Sequence, residues 1–299
     1  MTTLVMAARR YRLADFYELT KPRIALLVTL TSVVGYLAGS EGPTVWLTLG
    51  HLAVGTTLCA CAASILNQVL ERDTDARMQR TLARPIPAGR ISAHEGAAFG
   101  LAAAFGSCAY LLFLVGWLTA LLAVCTLASY LLVYTPLKRV TPLNTIVGAA
   151  PGALPPVGGW AAARGDIGPE AAYLFAIVFL WQLPHFLAIA WIYREDYARG
   201  GLAMLPVIDG GGSATGRQVI ASTLALAPIS LAPALFGSSG SLYLVGALVL
   251  GLAFLTVGVR MARTRTASAA RHLLLASVAY LPLLLGLLVV DRIRLDLLP

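Results

Sequence analysis

Nine apolar stretches divide this sequence of 299 residues, and each is about as long as a bilayer is thick. They lie near 23–40, 46–67, 96–115, 117–135, 143–162, 170–192, 218–236, 241–259 and 273–290. An α-helix needs about 20 apolar residues to cross the hydrocarbon core of a bilayer. No strand-like alternation of apolar and polar residues is sustained. The pattern predicts an all-α, polytopic membrane protein with nine transmembrane helices, which form a single integral-membrane domain over 1–299.

The composition excludes an ordinary soluble protein. Hydrophobic residues make up 58% of the chain and charged residues 12%, whereas a soluble domain is about 25% charged. The four cysteines lie inside apolar stretches without the paired spacing of a metal site, so they are expected to be small apolar fillers. The net charge of +8 bears first on membrane orientation, and no nucleic-acid partner is expected.

The distribution of basic residues predicts the orientation in the membrane. With nine spans, 19 of the 22 Lys and Arg residues fall on one side, and only Arg164, Arg292 and Arg294 fall on the other. Basic loops stay in the cytoplasm. We therefore expect a cytoplasmic N-terminal arm over 1–21, a C-terminus on the outer side, and a multi-pass location in the cell inner (cytoplasmic) membrane.

A polar segment after the second stretch, NQVLERDTDARMQRTLARP over 67–85, predicts a site for a metal and a diphosphate. If the helix continues, Asn67, Glu71 and Asp75 lie on one face at i, i+4 and i+8. Amide and carboxylate oxygens at that spacing suit a hard cation such as Mg²⁺. Arg80 and Arg84 follow one turn apart and would clamp a diphosphate. A solvated loop with internal Arg–acid pairs remains the alternative.

The sixth stretch adds a second group of candidates at its cytoplasmic end. Asp196 is predicted as a further metal ligand, and Arg194 as a ligand-binding residue. His185 lies about three turns from Asp196, so the two would share a face. A histidine inside a span is expensive unless it faces a cavity or a partner, which makes His185 a functional candidate. A packing hydrogen bond to a neighbouring helix is the alternative.

The connection between the fourth and fifth stretches supplies the last candidates. Lys138 and Arg139 follow the orientation rule, but they also suit carboxylates or phosphates of a ligand. Asn144 lies just inside the fifth stretch, where an amide needs a partner. All three are predicted to bind a ligand.

Four blocks in order carry a resemblance to a known family. ELTKPRI (18–24), NQVLERDTDARMQRTLARPIP (67–87), YTPLKRVTPLNTIVGAAPGALPPVGGW (134–160) and PHFLAIAWIYREDYARGGLAMLP (184–206) together resemble the haem O synthases. These protohaem IX farnesyltransferases belong to the UbiA superfamily of intramembrane prenyltransferases. The resemblance covers most of the chain up to about residue 206. It implies a nine-helix bundle with a central cavity open toward the cytoplasmic side and the bilayer.

The same resemblance implies a reaction and its residues. A Mg-dependent enzyme would transfer a farnesyl group from farnesyl diphosphate to a vinyl group of haem B, with addition of water. Asn67, Glu71 and Asp75 would hold Mg²⁺ and the diphosphate, and Arg80 and Arg84 match the basic part of the motif. His185 matches a family histidine, and its role is left open between orienting haem, ligating iron and assisting the water. A haem A synthase or a terminal oxidase assembly is a candidate partner.

Three other functions share part of this pattern. Another UbiA-type prenyltransferase would act on a quinone or aromatic precursor, and haem dependence of turnover separates it. A CDP-alcohol phosphotransferase needs a glycine after the second aspartate, but Ala76 follows Asp75. A membrane transporter would leave its substrate chemically unchanged.

Overall fold

The computed structural model describes residues 12–296, and nine long helices account for most of that range. They are Pro22–Gly39 (α1), Trp46–Leu70 (α2), Ala93–Leu114 (α3), Trp117–Ala128 (α4), Asn144–Arg164 (α5), Pro169–Ile192 (α6), Ser213–Leu235 (α7), Ser241–Thr264 (α8) and Ala267–Asp296 (α9). A helix over 12–20 precedes α1, and no strand occurs in the described part of the chain. The nine predicted stretches each coincide with one long helix, so the all-α prediction is confirmed.

Eight helices of the described chain are long and apolar enough to cross a bilayer, and α5 falls short. It contains Pro151, Pro155 and Pro156 as well as four glycines. More than half of its residues are buried against protein. A helix that contacts other helices rather than lipid does not need an apolar surface all round, and prolines are tolerated in membrane helices whose neighbours satisfy the backbone. The helix α5 therefore lies inside the bundle.

The bundle closes as a ring of helices in chain order. Each long helix packs against its successor from α1 to α9, and α9 contacts both α1 and α6. The helix α5 also packs closely against α1 and α4. This arrangement leaves α1, α2, α4, α5 and α6 around a common interior.

Two glycines bring α1 and α5 into backbone contact. A Cβ atom on Gly35 would lie 1.9 Å from the carbonyl oxygen of Pro156, and one on Gly159 would lie 1.8 Å from that of Ser32. No side chain fits at either position. Small residues commonly allow such close approach between membrane helices. The contact fixes α1 against the central helix.

The predicted cytoplasmic loops meet at one end of the bundle, here called the polar end and formed by residues 12–20, 71–91, 138–143 and 193–212. Arg90 pairs with Asp15 and Glu18, and Lys138 pairs with Glu71. At the opposite end Arg164 pairs with Glu41. The sorting of loops into two ends is therefore confirmed. The compartment that each end faces stays a prediction, and residues 1–11 and 297–299 lie outside the described range.

The expected helix through Arg80 and Arg84 is not found. The helical segment after Glu71 is short and covers only Arg72–Asp75. From residue 76 to residue 91 the chain folds as successive turns. Met78 in these turns is buried against Leu202 and Met204. This packing, together with hydrogen bonds described below, overrides the helical spacing.

Candidate active site

The amide and the two acids of the first motif stay aligned although α2 ends just before Glu71. The backbone at Glu71 leaves helical geometry, with φ −97° and ψ 6°. Even so, Glu71 N donates to Asn67 O at 2.9 Å, and Asp75 N donates to Glu71 O at 2.7 Å. These bonds keep the i to i+4 register across the break. All three side chains are buried, and Asp75 is only 1% exposed.

Each acid is paired with a cation from another part of the chain. Lys138 Nζ lies 2.8 Å from Glu71 Oε1, and Arg84 Nη1 lies 2.6 Å from Asp75 Oδ2. Lys138 follows α4, whereas Arg84 belongs to the turns after the motif. Arg84 and Lys138 thus pair with the two acids of the motif, and turns and loops rather than one helical face bring them there. An internal Arg–acid pair is also what the solvated-loop alternative expects, and the contact of both cations with a ligand stays a prediction.

The environment keeps Lys138 charged. Burial by itself lowers the pKa of Lys138, but the Tyr134 phenol and the Glu71 carboxylate outweigh it and raise the pKa above its usual value. The ammonium also lies 4.5 Å from the centre of the Tyr134 ring, where the face of the aromatic ring attracts a cation.

One oxygen of the motif has no partner. Among the described residues, Asp75 Oδ1 is buried without a hydrogen bond. Leaving a buried polar atom unsatisfied costs about 1–3 kcal/mol, so such an atom points to a ligand that binds there. No three His, Cys, Asp or Glu side chains converge as a ready metal site within residues 12–296. A cation at the motif would therefore use the Asn67 amide together with the two carboxylates, whose oxygens suit Mg²⁺.

An apolar cavity of about 310 Å³ lies between α1, α2, α4, α5 and α6. Its wall includes Val28, Ser64, Tyr134, Gln182 and Phe186. Ser64 precedes Asn67 by one helical turn, and Tyr134 contacts the ammonium of Lys138. A wall residue of the cavity, Tyr134, thus contacts the ion pair of Lys138 and Glu71, and the predicted central cavity is present.

The helix α4 continues into a π-helical turn over Ser129–Tyr134, which the sequence does not predict. The turn places Tyr130 and Tyr134 in the cavity wall, with ring centres 5.4 Å apart. Thr135, just after the turn, accepts a hydrogen bond from Asn67 Nδ2 at 3.2 Å. π-Turns inside α-helices occur frequently at functional sites. These three residues belong to the site, and sequence reasoning missed them.

Arg80 and Asp196 form a separate cluster. The Arg80 guanidinium lies 5.1 Å from the ring centre of Tyr193 and 5.4 Å from that of Tyr197. Asp196 accepts hydrogen bonds from the backbone N–H groups of Gln79 at 2.9 Å and Arg80 at 3.1 Å.

Asp196 therefore holds a loop. Arg199 also donates to it, so both of its oxygens are already occupied. Burial raises the pKa of Asp196, but the bonds from Arg199 and from the two backbone amides outweigh this and lower it. These contacts give Asp196 a role in fixing the turns, and they do not support the predicted role as a metal ligand.

His185 faces α9 rather than the ion pairs. Its Nδ1 atom lies 2.8 Å from Ser277 Oγ, and its ring stacks on Trp181 at 5.0 Å. The helix α6 ends at Ile192, before Asp196. The expectation that His185 and Asp196 share a face is wrong, because the helix breaks between them and the two side chains contact different elements. A catalytic role for His185 stays a prediction.

The other predicted ligand-binding residues also contact the protein. Asn144 donates to the carbonyl oxygens of Thr141 and Ala203 and so ties two segments of the polar end together. Arg139 donates to Thr74 Oγ1 at 2.6 Å. Arg194 stacks over Trp191, 5.0 Å from its ring centre. Their predicted contact with a ligand is not tested by this geometry.

Lys21 occupies the break between the helix over 12–20 and α1. Its backbone is left-handed, with φ 47° and ψ 61°. Such a conformation is uncommon for a residue other than glycine and is found more often at functional sites. The charged groups that act on Lys21 include Arg84, Lys138, Asp75 and Glu71, so Lys21 lies within electrostatic range of the two ion pairs.

Comparison with known proteins identifies the family. The model of the UbiA prenyltransferase family matches residues 28–284. The chain belongs to the UbiA prenyltransferase family. A relative named protoheme IX farnesyltransferase from Solibacter usitatus is 50% identical over 287 residues, covering 93% of this chain and 98% of the relative. One of the same name from Koribacter versatilis is 44% identical and covers 94% of each chain.

Solved structures agree on the fold of this UbiA-family chain. A structure described as digeranylgeranylglyceryl phosphate synthase in membranes superposes with a TM-score of 0.78 at 16% identity, covering 95% of this chain and 99% of the other. A UbiA homologue from Archaeoglobus fulgidus bound to GPP and Mg²⁺ gives a TM-score of 0.66 at 15% identity, covering 92% and 99%. The predicted UbiA-type bundle is confirmed.

Proposed function

We propose that this prenyltransferase transfers a farnesyl group from farnesyl diphosphate to a vinyl group of haem B, with addition of water, to give haem O and diphosphate. Two things support the substrates. Relatives of 50% and 44% identity over nearly the whole chain are named protoheme IX farnesyltransferases. The chain itself joins an oxygen-rich, ion-paired motif to an apolar cavity.

The observation that carries the proposal is the buried line of Asn67, Glu71 and Asp75. It is linked to the cavity wall through Lys138, which pairs with Glu71 and contacts Tyr134. The unpartnered Asp75 Oδ1 and the remaining oxygens of Glu71 and Asn67 suit Mg²⁺. When bound there, Mg²⁺ would supply positive charge for the diphosphate leaving group. Arg84 and Lys138 add positive charge at the same motif, which favours departure of a diphosphate.

The cavity sets the conditions for the allylic group. Its volume of about 310 Å³ is at the lower end of ligand pockets, which span about 300–1,000 Å³. We infer that the cavity holds the farnesyl chain and that the porphyrin binds next to it on the side of the polar end. Apolar walls keep water from the allylic cation. The rings of Tyr130 and Tyr134 present π-faces that stabilise a nearby cation.

The reaction balances with one water. The allylic C–O bond of farnesyl diphosphate breaks, and its electron pair leaves with the diphosphate. The terminal carbon of the haem vinyl group then forms a bond to the allylic carbon. The positive charge moves to the carbon beside the porphyrin ring, water adds there, and a proton is lost. The product carries a hydroxyethylfarnesyl group.

A product assay tests the proposal. Purified protein in lipid nanodiscs receives farnesyl diphosphate, haem B and Mg²⁺, and haem O is read by mass. We expect haem O with Mg²⁺ and its loss on addition of a chelator. A quinone precursor in place of haem B serves as the competing acceptor. Prenylation of that acceptor with unchanged haem would assign the chain to a different UbiA-type activity, whereas no product with folded protein would refute both.

A further inference from the structure

We propose that Lys138 and Arg84 are exchangeable counter-ions: they neutralise Glu71 and Asp75 before substrate binds and transfer to diphosphate oxygens when the metal and the diphosphate arrive together. The inference rests on the proposed function, because it assigns the diphosphate and the divalent cation to this site. It adds that the divalent cation binds together with the diphosphate and does not enter a site that is already open.

The geometry of the two ion pairs supports exchange. Each carboxylate uses one oxygen for its cation, Glu71 Oε1 for Lys138 and Asp75 Oδ2 for Arg84. The other oxygen of Asp75 is buried without a partner in the described residues. A pair that serves stability alone needs its remaining lone pairs satisfied by further hydrogen bonds. Here one position is left open on the carboxylate side.

The cations also have capacity for a second partner. Arg84 donates to Asp75 through Nη1, and no other hydrogen bond of its side chain occurs within residues 12–296. A guanidinium carries five N–H donors in a fork that matches phosphate oxygens. Lys138 has three donors on a flexible stem, and one of them reaches Glu71. Neither cation has to leave the site in order to turn toward a diphosphate.

The charges explain why the two ligands should arrive together. Glu71 and Asp75 are balanced by Lys138 and Arg84, so the four groups carry no net charge. A divalent cation that enters alone meets carboxylates that are already neutralised and two positive groups that repel it. A diphosphate that enters with the cation supplies oxygens for Lys138 and Arg84 and frees the carboxylates. Metal affinity should therefore depend on the diphosphate.

Metal binding, rather than turnover, tests this coupling. Mn²⁺ replaces Mg²⁺ and is followed by electron paramagnetic resonance on the full chain in nanodiscs, with and without inorganic diphosphate. For the wild-type protein we expect diphosphate to tighten Mn²⁺ binding by about tenfold or more, within the usual range of coupling between two ligands. The amount of Mn²⁺ that diphosphate binds without protein is measured in empty nanodiscs and subtracted.

Removing the charge of Lys138 should make Mn²⁺ binding less dependent on diphosphate. In Lys138→Met we expect Mn²⁺ binding without diphosphate to tighten by about tenfold, and the gain from diphosphate to shrink accordingly. Lys138→Gln, which keeps a hydrogen bond to Glu71 but not the charge, gives the same measurement if the methionine variant does not fold. Arg164→Met is the matched control, since it removes a cation paired with Glu41 at the opposite end; its Mn²⁺ affinity should equal that of the wild type.

The outcomes separate this inference from the proposed function. Unchanged or weaker Mn²⁺ binding by Lys138→Met and Lys138→Gln would overturn the exchange and make the pair with Glu71 permanent. Equal Mn²⁺ affinity of the wild type with and without diphosphate, or no binding in either case, would overturn it as well. None of these measurements uses haem or the farnesyl chain. Strong coupling with no haem O in the product assay would instead support the exchange and refute the acceptor.

Discussion

Replacing Asp75 by alanine should remove most of the activity while costing only part of the stability of the fold. Asp75 is 1% exposed, and its partner Arg84 keeps 22% of its side chain exposed. Breaking a fully buried ion pair by removing one partner costs about 3–5 kcal/mol. Because Arg84 still reaches water, the cost should fall at or below the lower end. The variant also removes the unsatisfied Oδ1, which returns about 1–3 kcal/mol.

The net loss of unfolding free energy in Asp75→Ala should therefore stay below about 2 kcal/mol. Turnover should fall by about 100-fold or more, the loss typical of removing one electrostatic contact to a transition state. The assay compares haem O formation and thermal unfolding in the same nanodisc preparation. Arg263→Ala, an exposed arginine in the last turn of α8, is the control and should change neither quantity. Turnover of Asp75→Ala within threefold of Arg263→Ala would refute the site, and a large loss of thermal stability would reassign Asp75 to structure.

Two further predictions concern structure around the site. Asp196→Asn should loosen the turns at Gln79 and Arg80 and cost about 1.5–3 kcal/mol. Folding lowers the pKa of Asp196, so this stabilisation is present at neutral pH and is lost as the pH falls through the folded-state pKa. The difference in melting temperature between Asp196→Asn and wild type should therefore shrink in acid. A difference that stays constant with pH would contradict the assignment. Gly159→Ala should destabilise the protein by about 1–3 kcal/mol, because its Cβ meets the α1 backbone. Gly158→Ala is the control and should not destabilise it, because its Cβ meets open space. Equal melting temperatures of the two variants would show that α1 and α5 can move apart at no cost.

The sequence predicts the parts of this protein that depend on local spacing. The nine long helices follow from apolar length, and the sorting of loops follows from the placement of arginines. The alignment of Asn67, Glu71 and Asp75 also survives, because its backbone hydrogen bonds cross the break at Glu71. Each of these features is set within a few turns of helix, where periodicity carries the information.

The sequence does not predict which distant side chains meet. Lys138 reaches Glu71 across 67 positions, and His185 meets Ser277 across 92. Nothing near His185 distinguishes a ligand from a residue that packs against α9. The path of Arg80 was predicted wrongly for the same reason: its backbone N–H is held by Asp196, 116 positions away, and that contact replaces the helix. Tertiary contacts of this kind override local propensity.

The helix α5, which is not apolar enough to qualify as a membrane span, shows how the bundle shapes the cavity. A Cβ on Gly148 of α5 would lie 2.4 Å from the ring of Tyr134, and one on Gly152 would lie 2.0 Å from Oε1 of Gln182. Both neighbours line the cavity, and the two glycines are one turn apart on α5. Larger residues there would displace the Tyr134 ring and the Gln182 amide, and so change the shape of the cavity. The composition that makes α5 a weak membrane span is therefore what allows the cavity wall to form against it.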